Sequence, residues 1–310
     1  MSLEEERVLV TGGTGFIGSY VTRQLLNEGS IVHALDNGFT GDESLVPDDV
    51  TVHQADIREL DEVVDVVEEV SPDVLIHLAA IHFIPYCNEN PEDAFDVNVM
   101  GTRNVLEAAR GLDGLKRVVN TSSAAVYAPD PGPHVETEGI GPMDIYGRTK
   151  LVAEDEARLF NADTGVPTAS ARLFNVYGTR ETNSHLIPAI LEQLEGGSRS
   201  VDLGNLSPAR DFIYASDIAS ALITLASEFN GEYRAYNVGT GTEHSVREVV
   251  EAVRDALGEE ITIEQDEERV RESDRPHLKA DITRLTGEFD WEPTYELREG
   301  LAKVLAEEDI

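Results

Sequence analysis

The stretch VTGGTGFIG, Val10–Gly18, joins an apolar run typical of a β-strand to a segment with helical periodicity. Its glycines form two overlapping patterns, GxGxxG at Gly13, Gly15 and Gly18 and GxxGxxG at Gly12, Gly15 and Gly18. Glycines let the backbone turn tightly and approach a pyrophosphate, and the N-terminus of the following helix offers free N–H groups to the phosphates. The stretch therefore predicts a dinucleotide-binding loop, with a plain glycine turn as the alternative.

An aspartate ends the next strand-like run. Asp36 closes the segment SIVHALD, 18 residues beyond Gly18. A carboxylate at this place can accept hydrogen bonds from the ribose diol of an adenosine, whereas it would repel a 2′-phosphate. The sequence therefore favours NAD over NADP as cofactor, although Asp36 taken separately could be an ordinary surface residue.

Strand and helix patterns alternate through the first half of the chain. The nearly continuous apolar run DVLIHLAA, residues 73–80, is typical of a strand buried on both faces of a parallel sheet. Repeated βα units predict an α/β fold with a Rossmann-type doubly wound parallel sheet. The pattern loosens after about Asn175, which predicts a smaller α/β C-terminal domain that binds substrate. We expect an NAD-binding domain at 1–174 and a second domain at 175–310, with about 211–236 returning to pack on the first.

Charge and composition exclude several classes of partner. The 310 residues hold 60 Asp and Glu against 24 Lys and Arg, of which 4 are lysines, and the formal net charge is −36. Such a field repels nucleic acid and anionic membranes, so we expect neither as a partner. The acidic residues are spread along the chain, a composition that resembles cytosolic proteins of salt-loving organisms. A single cysteine, Cys87, an acidic N-terminus and the lack of a long apolar run favour a cytoplasmic protein.

A series of short motifs follows the glycine loop in a fixed order along nearly the whole chain. They are TGGTGFIG at 11–18, HLAA at 77–80, NVMGT at 98–102, TSSAAVY at 121–127, YGRTK at 146–150, LFNVYGTR at 173–180 and YNVGTG at 236–241. Together they make the chain resemble the extended short-chain dehydrogenase/reductases, in the group of NAD-dependent nucleotide-sugar epimerases and dehydratases. Within that group, the resemblance is strongest to the enzymes that epimerise UDP-glucose at C4.

The resemblance gives a chemical meaning to the segment DIYGRTKLVAE, 144–154. Tyr146 and Lys150 lie four residues apart and would share one face of a helix. A free tyrosine has a pKa of about 10, and a neighbouring ammonium together with the positive nicotinamide would favour its phenolate. The resemblance implies that Tyr146 is the catalytic base, Lys150 its activator and a ribose ligand, and Ser123 the hydroxyl that bonds the reacting oxygen. Ser122 is the nearby alternative to Ser123.

The resemblance also implies a set of binding residues. Those expected around the cofactor, besides the glycines, Asp36, Tyr146 and Lys150, are Phe16, Ile17, Asn37, Asp56, Ile57, Leu78, Ala79, Ala80, Asn98 and Phe174. Those expected to bind the UDP-sugar are Ser123, Asn175, Arg210, Arg271 and Asp274. Arginine forks suit the oxygens of a diphosphate, which must bind to a strongly negative protein.

The remaining polar residues indicate no metal site. The eight histidines are scattered without the spacing of metal ligands, so no metal is expected. His82, after LAAI, is either a residue near the cofactor or a plain loop residue, and Cys87 is expected to pack inertly. A helix is predicted over PEDAFDVNVMGTRNVLEAAR, 91–110. Many relatives are dimers built on two helices, so a homodimer is predicted from the part NVMGTRNVLEAAR, 98–110, of this helix and from the helix of Tyr146.

Three classes of function compete. A UDP-hexose 4-epimerase oxidises the C4 hydroxyl and returns the hydride to the other face, whereas a 4,6-dehydratase or a 4-keto reductase uses related steps. Dehydratases resemble TSTDEVYG after the strand, but this chain has Ala124 and Ala125, which cannot transfer protons. The same absence counts against a decarboxylase, which carries a glutamate in that run.

Two further features bear on this choice. The segment LGNLSPARDF, 203–212, resembles segments of some dehydratases and so favours that class. Leu278 occupies the position where such epimerases adjust the room for an N-acetyl group, and its bulk mildly favours UDP-glucose and UDP-galactose over N-acetylated sugars. A regulator that senses NAD without catalysis is the third class, and the intact Ser123, Tyr146 and Lys150 argue against it.

Overall fold

The computed structural model describes residues 2–181, 185–266 and 275–308, which form two larger β-sheets and one separate pair of strands. The strands are β1 Arg7–Thr11, β2 Ile31–Asp36, β3 Thr51–Gln54, β4 Val74–His77, β5 Arg117–Ser123, β6 Pro133–His134, β7 Thr168–Leu173, β8 Asn175–Tyr177, β9 Ser200–Leu203, β10 Ala209–Tyr214, β11 Arg234–Val238, β12 Glu243–Ser245, β13 Thr262–Gln265 and β14 His277–Ala280. The helices are α1 Phe16–Asn27, α2 Leu60–Val70, α3 Ile84–Glu89, α4 Pro91–Phe95, α5 Thr102–Ala109, α6 Ile145–Thr164, α7 Leu186–Leu194, α8 Ala215–Glu228, α9 Val246–Leu257, α10 Thr283–Glu288 and α11 Leu297–Glu307. Short 3₁₀ turns cover Glu43–Leu45, Ala124–Val126 and Glu195–Gly197.

The larger sheet has seven strands in the order β3-β2-β1-β4-β5-β7-β11, and all neighbours are parallel. All four residues of β4 are buried, as its apolar sequence predicted. The strand order reverses beside β1, at the place where open α/β sheets bind ligands beyond the carboxyl ends of their strands. The predicted Rossmann-type doubly wound sheet is confirmed.

Helices cover both faces of this sheet because residues along each strand alternate between two cores. Val8 and Val10 belong to the core that α1 and α8 cover. Leu9, between them, belongs to the core that α2, α5 and α6 cover. Each layer therefore hides the apolar side chains of one strand face.

The second sheet joins strands from distant parts of the sequence. Its order is β12-β10-β14-β6, with β8 also paired to β10, while β9 and β13 form a separate parallel pair. The apolar faces of α7, α9 and α11 form its core. Part of the chain between these strands lies on the larger sheet, because α8 packs on α1 and β11 pairs with β7. The proposed division at 174/175 stays a prediction.

The predicted helix over 91–110 contains an irregular segment. It consists of α4, a π-helical stretch Asp96–Gly101 and then α5. A π-helical turn inserts one extra residue per turn and is frequent at functional sites. This stretch carries Asn98, one of the residues expected near the cofactor.

Candidate active site

A cleft of about 1060 Å³ opens at the carboxyl ends of the strands of the larger sheet. Most of the residues expected from the sequence line it. These are Gly12, Gly15, Phe16, Ile17, Gly18, Asp36, Asn37, Ile57, Leu78, Ala79, Ala80, Ser123, Tyr146, Lys150, Phe174, Asn175 and Arg210. Asp56 and Asn98 are not among its lining residues, and Arg271 and Asp274 lie outside the described residues.

The glycine loop is packed too closely for side chains. Gly12 has φ +69°, and a Cβ there would lie 2.7 Å from the backbone nitrogen of Ala79. A Cβ at Gly18 would overlap the carbonyl oxygen of Gly12. The loop can therefore lie against the residues that follow β4 and against the start of α1 only because Gly12 and Gly18 have no side chains. Gly15, the N-cap of α1, makes no side-chain hydrogen bond to the first N–H groups of the helix. The N-terminus of α1 lines the cleft, so these N–H groups are available to a ligand there.

Asp36 is held at the end of β2 by two backbone groups. Its Oδ2 accepts a hydrogen bond from the N–H of Thr14 at 3.1 Å, and its Oδ1 accepts one from Gly38 at 2.9 Å. Each carboxylate oxygen can accept further bonds. The carboxylate is therefore fixed beside the glycine loop with capacity left for a diol in the cleft.

Ser123 and Tyr146 meet at the other end of the cleft. Ser123 ends β5 and hydrogen-bonds with the Tyr146 hydroxyl, while the Oγ of Ser122 is enclosed without a partner in the part of the chain that is described. The geometry therefore favours Ser123 over Ser122 as the hydroxyl beside the base. Lys150 is 2% exposed and lines the cleft one turn further along α6.

The start of α6 is fixed against the segment that follows β5. The Oδ1 of Asp144, the N-cap, accepts a hydrogen bond from the N–H of Gly147 at 2.7 Å. A Cβ at Gly147 would overlap the carbonyl oxygen of Ala125, so helix and segment approach as closely as glycine allows. This contact sets the position of Tyr146 relative to Ser123.

Two arginines lie where the second sheet meets the cleft. The Nη1 of Arg210 donates to the carbonyl of Ala209 at 2.8 Å and to the carbonyl of Arg275 at 2.7 Å. Arg275 itself lines the cleft, and its Nη2 donates to the carbonyl of Ala125 at 3.3 Å. Arg275 was not among the sequence candidates, since an arginine beside the predicted Asp274 carried no signal of its own.

Comparison with known proteins agrees with this arrangement. The model of the NAD dependent epimerase/dehydratase family matches residues 8–239. The chain belongs to this family. It is 33% identical over 304 residues to a putative UDP-glucose 4-epimerase of Methanocaldococcus jannaschii, covering 96% of this chain and 97% of the relative.

Two solved structures of similar proteins contain the cofactor. The UDP-glucose 4-epimerase of Thermus thermophilus in complex with NAD is 31% identical, with a TM-score of 0.86 and coverage of 97% and 98% of the two chains. MoeE5 in complex with UDP-glucuronic acid and NAD is 30% identical, with a TM-score of 0.86 and coverage of 98% and 100%. The predictions of the family, of an NAD-dependent enzyme and of NAD as cofactor are confirmed.

The residues present fit the NAD that the family uses. Glycines leave room for a pyrophosphate, the α1 N-terminus faces it, and Asp36 lies beside the loop to take the adenosine ribose. Among the described residues no cluster of His, Cys, Asp and Glu could hold a metal ion. No helix in the described ranges has the length and apolar character needed to cross a bilayer.

Asp56, which was expected at the adenine, forms hydrogen bonds with two neighbouring side chains, those of Asn37 and Arg58. Its Oδ2 accepts from the Nδ2 of Asn37 at 3.0 Å, and the guanidinium of Arg58 binds both its oxygens at 3.0 and 2.7 Å. Hydrogen bonds from Arg58 lower the pKa of Asp56 to about 2. Asn37, Ile57 and Arg58 line the cleft, so a direct contact of Asp56 with the adenine stays a prediction.

Asn98 lies behind the cleft and fixes the loop after β4. Its Oδ1 accepts from the N–H of Ile81 at 2.7 Å, and its Nδ2 donates to the carbonyl of Ile81 at 2.9 Å and to the Oγ1 of Thr149 at 3.0 Å. The π-helical segment therefore ties the loop of Leu78–Ile81 to α6. This geometry supports a positioning function more than direct contact with the cofactor.

His77, at the end of β4, was not singled out from the sequence. The hydroxyl of Thr102 donates to the carbonyl of Asn98 at 2.7 Å, so it accepts from the Nε2 of His77, 2.9 Å away. The Nδ1 then accepts from the hydroxyl of Thr11 at 2.6 Å. Burial, aided by the charge of Lys150, lowers the pKa of His77 to about 3, so it stays neutral and joins three elements beneath the cofactor loop.

The histidine named from the sequence, His82, lines the cleft. Its ring centroid lies 6.0 Å from that of His185, whose Nδ1 is 2.5 Å from the Oε1 of Glu181. Burial lowers the pKa of His82 to about 4, and the charges of His185 and Lys150 act in the same direction. Cys87 is buried, and burial raises the pKa of its thiol to about 11, consistent with an inert residue.

Burial dominates the charge state of the two catalytic candidates. Burial raises the pKa of Tyr146, and the hydrogen bond from Ser123 counteracts it only partly. Burial also lowers the pKa of Lys150 to about 8, against the opposing effect of Glu154. The expectation that Lys150 and the positive nicotinamide together favour the phenolate stays a prediction, because in the protein alone burial dominates and raises the pKa of Tyr146.

Proposed function

We propose that the protein is a UDP-hexose 4-epimerase that interconverts UDP-galactose and UDP-glucose by transient oxidation at C4. The observation that carries this proposal is the contact of Ser123 with Tyr146, with Lys150 on the same helix, at one end of an NAD-type cleft. Bound NAD would supply the acceptor, and later the donor, of the C4 hydride. The remaining chemistry falls to the side chains of this chain.

Tyr146 takes the proton of the C4 hydroxyl and later returns it. Its raised pKa means that the phenolate needs further positive charge, which the nicotinamide ring supplies together with Lys150. Ser123 donates to the reacting oxygen and keeps it within reach of the phenol. For return of hydride to the opposite face, the 4-keto sugar must turn over, and the large cleft supports this because it leaves space beside Phe174 and Leu278.

Two alanines support epimerisation over elimination. Ala124 and Ala125 line the cleft directly after Ser123, where dehydratases and decarboxylases carry acidic residues. Neither side chain can protonate a leaving hydroxyl or take a proton from C5. The relatives do not single out one sugar: the Thermus protein is a UDP-glucose 4-epimerase, whereas MoeE5 was crystallised with UDP-glucuronic acid and also with UDP-glucose. The hexose substrate is therefore part of the proposal.

Incubation of the NAD-loaded protein with UDP-galactose is expected to yield UDP-glucose without net consumption of NAD, as measured by NMR of the sugar products. No 4-keto-6-deoxy sugar should accumulate, and such sugars absorb near-ultraviolet light in alkali whereas epimers do not. Growth of that absorbance at the rate of turnover would favour a dehydratase. Binding of NAD without conversion of any nucleotide sugar would favour a regulator.

The proposal includes a homodimer and a cytoplasmic location. Apolar side chains on and beside the two helices expected at the interface are unusually exposed: Phe95 by 40%, Met100 by 45% and Leu159 by 56%. Exposed apolar patches often mark protein interfaces. Light scattering decides between the 33.9 kDa of one chain and twice that mass. Fractionation of cells would test the location.

We also propose adaptation to high salt, because 60 acidic residues against 24 basic ones leave a net charge of −36. Salt screens the self-repulsion of such a surface, with a Debye length of about 3 Å at 1 M. The melting temperature is expected to rise between about 0.1 and 2 M KCl, because screening weakens the repulsion between the acidic side chains. A flat or falling melting temperature in calorimetry would contradict the adaptation.

A further inference from the structure

Arg275 brings a guanidinium into the cleft that the proposed reaction does not use. It forms one side-chain hydrogen bond to a described residue, from its Nη2 to the carbonyl of Ala125 at 3.3 Å. Its Nη1 is enclosed and has no hydrogen-bond partner in the described ranges. A guanidinium has five N–H donors, and buried polar groups are normally bonded. Arg275 is therefore under-satisfied by the residues that the structure describes.

The two arginines of the cleft reach different ends of it. The carbonyl of Arg275 accepts from the guanidinium of Arg210 at 2.7 Å, so the backbone of Arg275 lies beside Arg210. The side chain of Arg275 then extends to Ala125, two residues beyond Ser123. The carbonyl of Ala125 in turn touches Gly147, the neighbour of Tyr146. The Arg275 guanidinium thus lies at the catalytic end, one arginine side chain away from Arg210.

Among the described residues, the charge of Arg275 is only partly balanced. Burial lowers the pKa of Arg275, and the charge of Asp144 opposes that effect. The Asp144 carboxylate is already used as the N-cap of α6, through the N–H of Gly147. No carboxylate of the described residues forms an ion pair with Arg275. An anion that enters this end of the cleft would meet a desolvated cation, which binds anions more strongly than an exposed one.

The chemistry of a hexose identifies which anion that is. With the C4 hydroxyl at Ser123 and Tyr146, the diphosphate on C1 lies across the ring and towards Arg210. The substituent at C6 is attached to C5, the immediate neighbour of C4. An anionic group at C6 would therefore fall at the end of the cleft that Arg275 reaches.

We propose that Arg275 binds a carboxylate at C6 of the sugar and makes UDP-hexuronates, such as UDP-glucuronate and UDP-galacturonate, the favoured substrates. This inference rests on the proposed 4-epimerase function and shifts its favoured substrates from UDP-glucose and UDP-galactose to the corresponding sugars with a carboxylate at C6. Oxidation at C4 of such a sugar gives a β-keto acid, which loses CO₂ when the C5–C6 bonding electrons move to the C4 oxygen. A guanidinium paired with the carboxylate stabilises the charge on C6, so it opposes this loss and preserves the six-carbon product.

The test compares kcat/KM for UDP-glucuronate and UDP-glucose in the NAD-loaded wild type, Arg275→Met and Arg210→Met. We expect the wild type to prefer UDP-glucuronate. Arg275→Met should lower the ratio of the two kcat/KM values by at least about tenfold, the effect of losing one charged hydrogen bond. Arg210→Met, the matched control, should lower both values and leave their ratio nearly unchanged, because both sugars carry the diphosphate.

An equal loss with both sugars in Arg275→Met would overturn the inference and assign Arg275 to the diphosphate. Wild-type preference for UDP-glucose would overturn it too. The ratio of dissociation constants for the two sugars, measured by calorimetry on the same three proteins, gives a readout that needs no turnover. If neither sugar is epimerised, the proposed function fails, while a binding ratio that depends on Arg275 would still support the carboxylate contact.

Discussion

Tyr146→Phe is expected to fold, to bind NAD and to lose about 10²–10⁴-fold in kcat, the usual contribution of a positioned acid–base group. The substitution removes one oxygen and keeps the ring that lines the cleft. Because only the phenol oxygen meets Ser123, packing at the start of α6 should be retained. Turnover of the nucleotide sugar and NAD affinity are measured on the same preparation.

Tyr236→Phe is the matched control for loss of a hydroxyl. Tyr236 is buried in β11, and its hydroxyl donates to Glu288 at 2.7 Å, far along the chain from the catalytic segment. We expect it to change kcat little. A Tyr146→Phe protein with near wild-type kcat would show that another group takes the C4 proton. A variant that no longer binds NAD would show that Tyr146 serves the fold of the cleft.

Local sequence patterns predicted correctly those features that one short segment determines by itself. The glycine loop lies between β1 and α1 as expected, because tight backbone contacts at Gly12 and Gly18 demand glycine regardless of the rest of the chain. Tyr146 and Lys150 share the cleft-facing side of α6 for an equally local reason, the helical repeat.

Residues whose position depends on distant segments were harder to place. The amide of Asn98 bonds Ile81 and Thr149, which are 17 and 51 residues away in the sequence, so this side chain lies behind the cleft. His77 becomes a neutral bridge only because Thr11 and Thr102 lie on either side of it in the fold. Nothing in the local sequence records such partners, since they come from elements 25 to 66 residues away.

Charge states were the least predictable feature. Tyr146 and Lys150 lie one turn apart, and burial raises the pKa of the phenol while it lowers the pKa of the ammonium. Desolvation depends on the whole enclosure of a group and cannot be read from the spacing of two residues. For the same reason the under-bonded guanidinium of Arg275 emerged only from the three-dimensional arrangement.

The buried pair of Arg172 and Glu154 supports the catalytic helix from behind. Glu154 lies one turn beyond Lys150 on α6, and its two oxygens accept from the Nε and Nη2 of Arg172 at 2.8 and 2.7 Å. Both side chains are at most 6% exposed. The Nη1 of Arg172 also donates to the hydroxyl of Tyr127 and to the carbonyl of Glu136, both at 2.9 Å. This pair joins α6 to β7, the strand next to the β11 edge of the larger sheet.

Arg172→Met is therefore expected to lower the free energy of unfolding by about 3–5 kcal/mol, because it leaves the Glu154 carboxylate buried without its partner. Arg110→Met is the matched control: Arg110 binds Glu107 and Asp163, each at 2.9 Å, but is 38% exposed. An exposed pair contributes about 0–1 kcal/mol, so this variant should change stability little. Urea denaturation monitored by circular dichroism measures both.

The double variant Glu154→Leu, Arg172→Met separates the ion pair from the rest of the network. It removes the unpaired carboxylate, so it should recover a large part of the loss seen in Arg172→Met. Full recovery is not expected, because the hydroxyl of Tyr127 and the carbonyl of Glu136 still lose their donor. If Arg172→Met costs no more than Arg110→Met, the buried pair does not hold α6 to the sheet, and the position of Tyr146 and Lys150 must depend on other contacts, such as the close approach at Gly147, the Asp144 cap and the bond of Asn98 to Thr149.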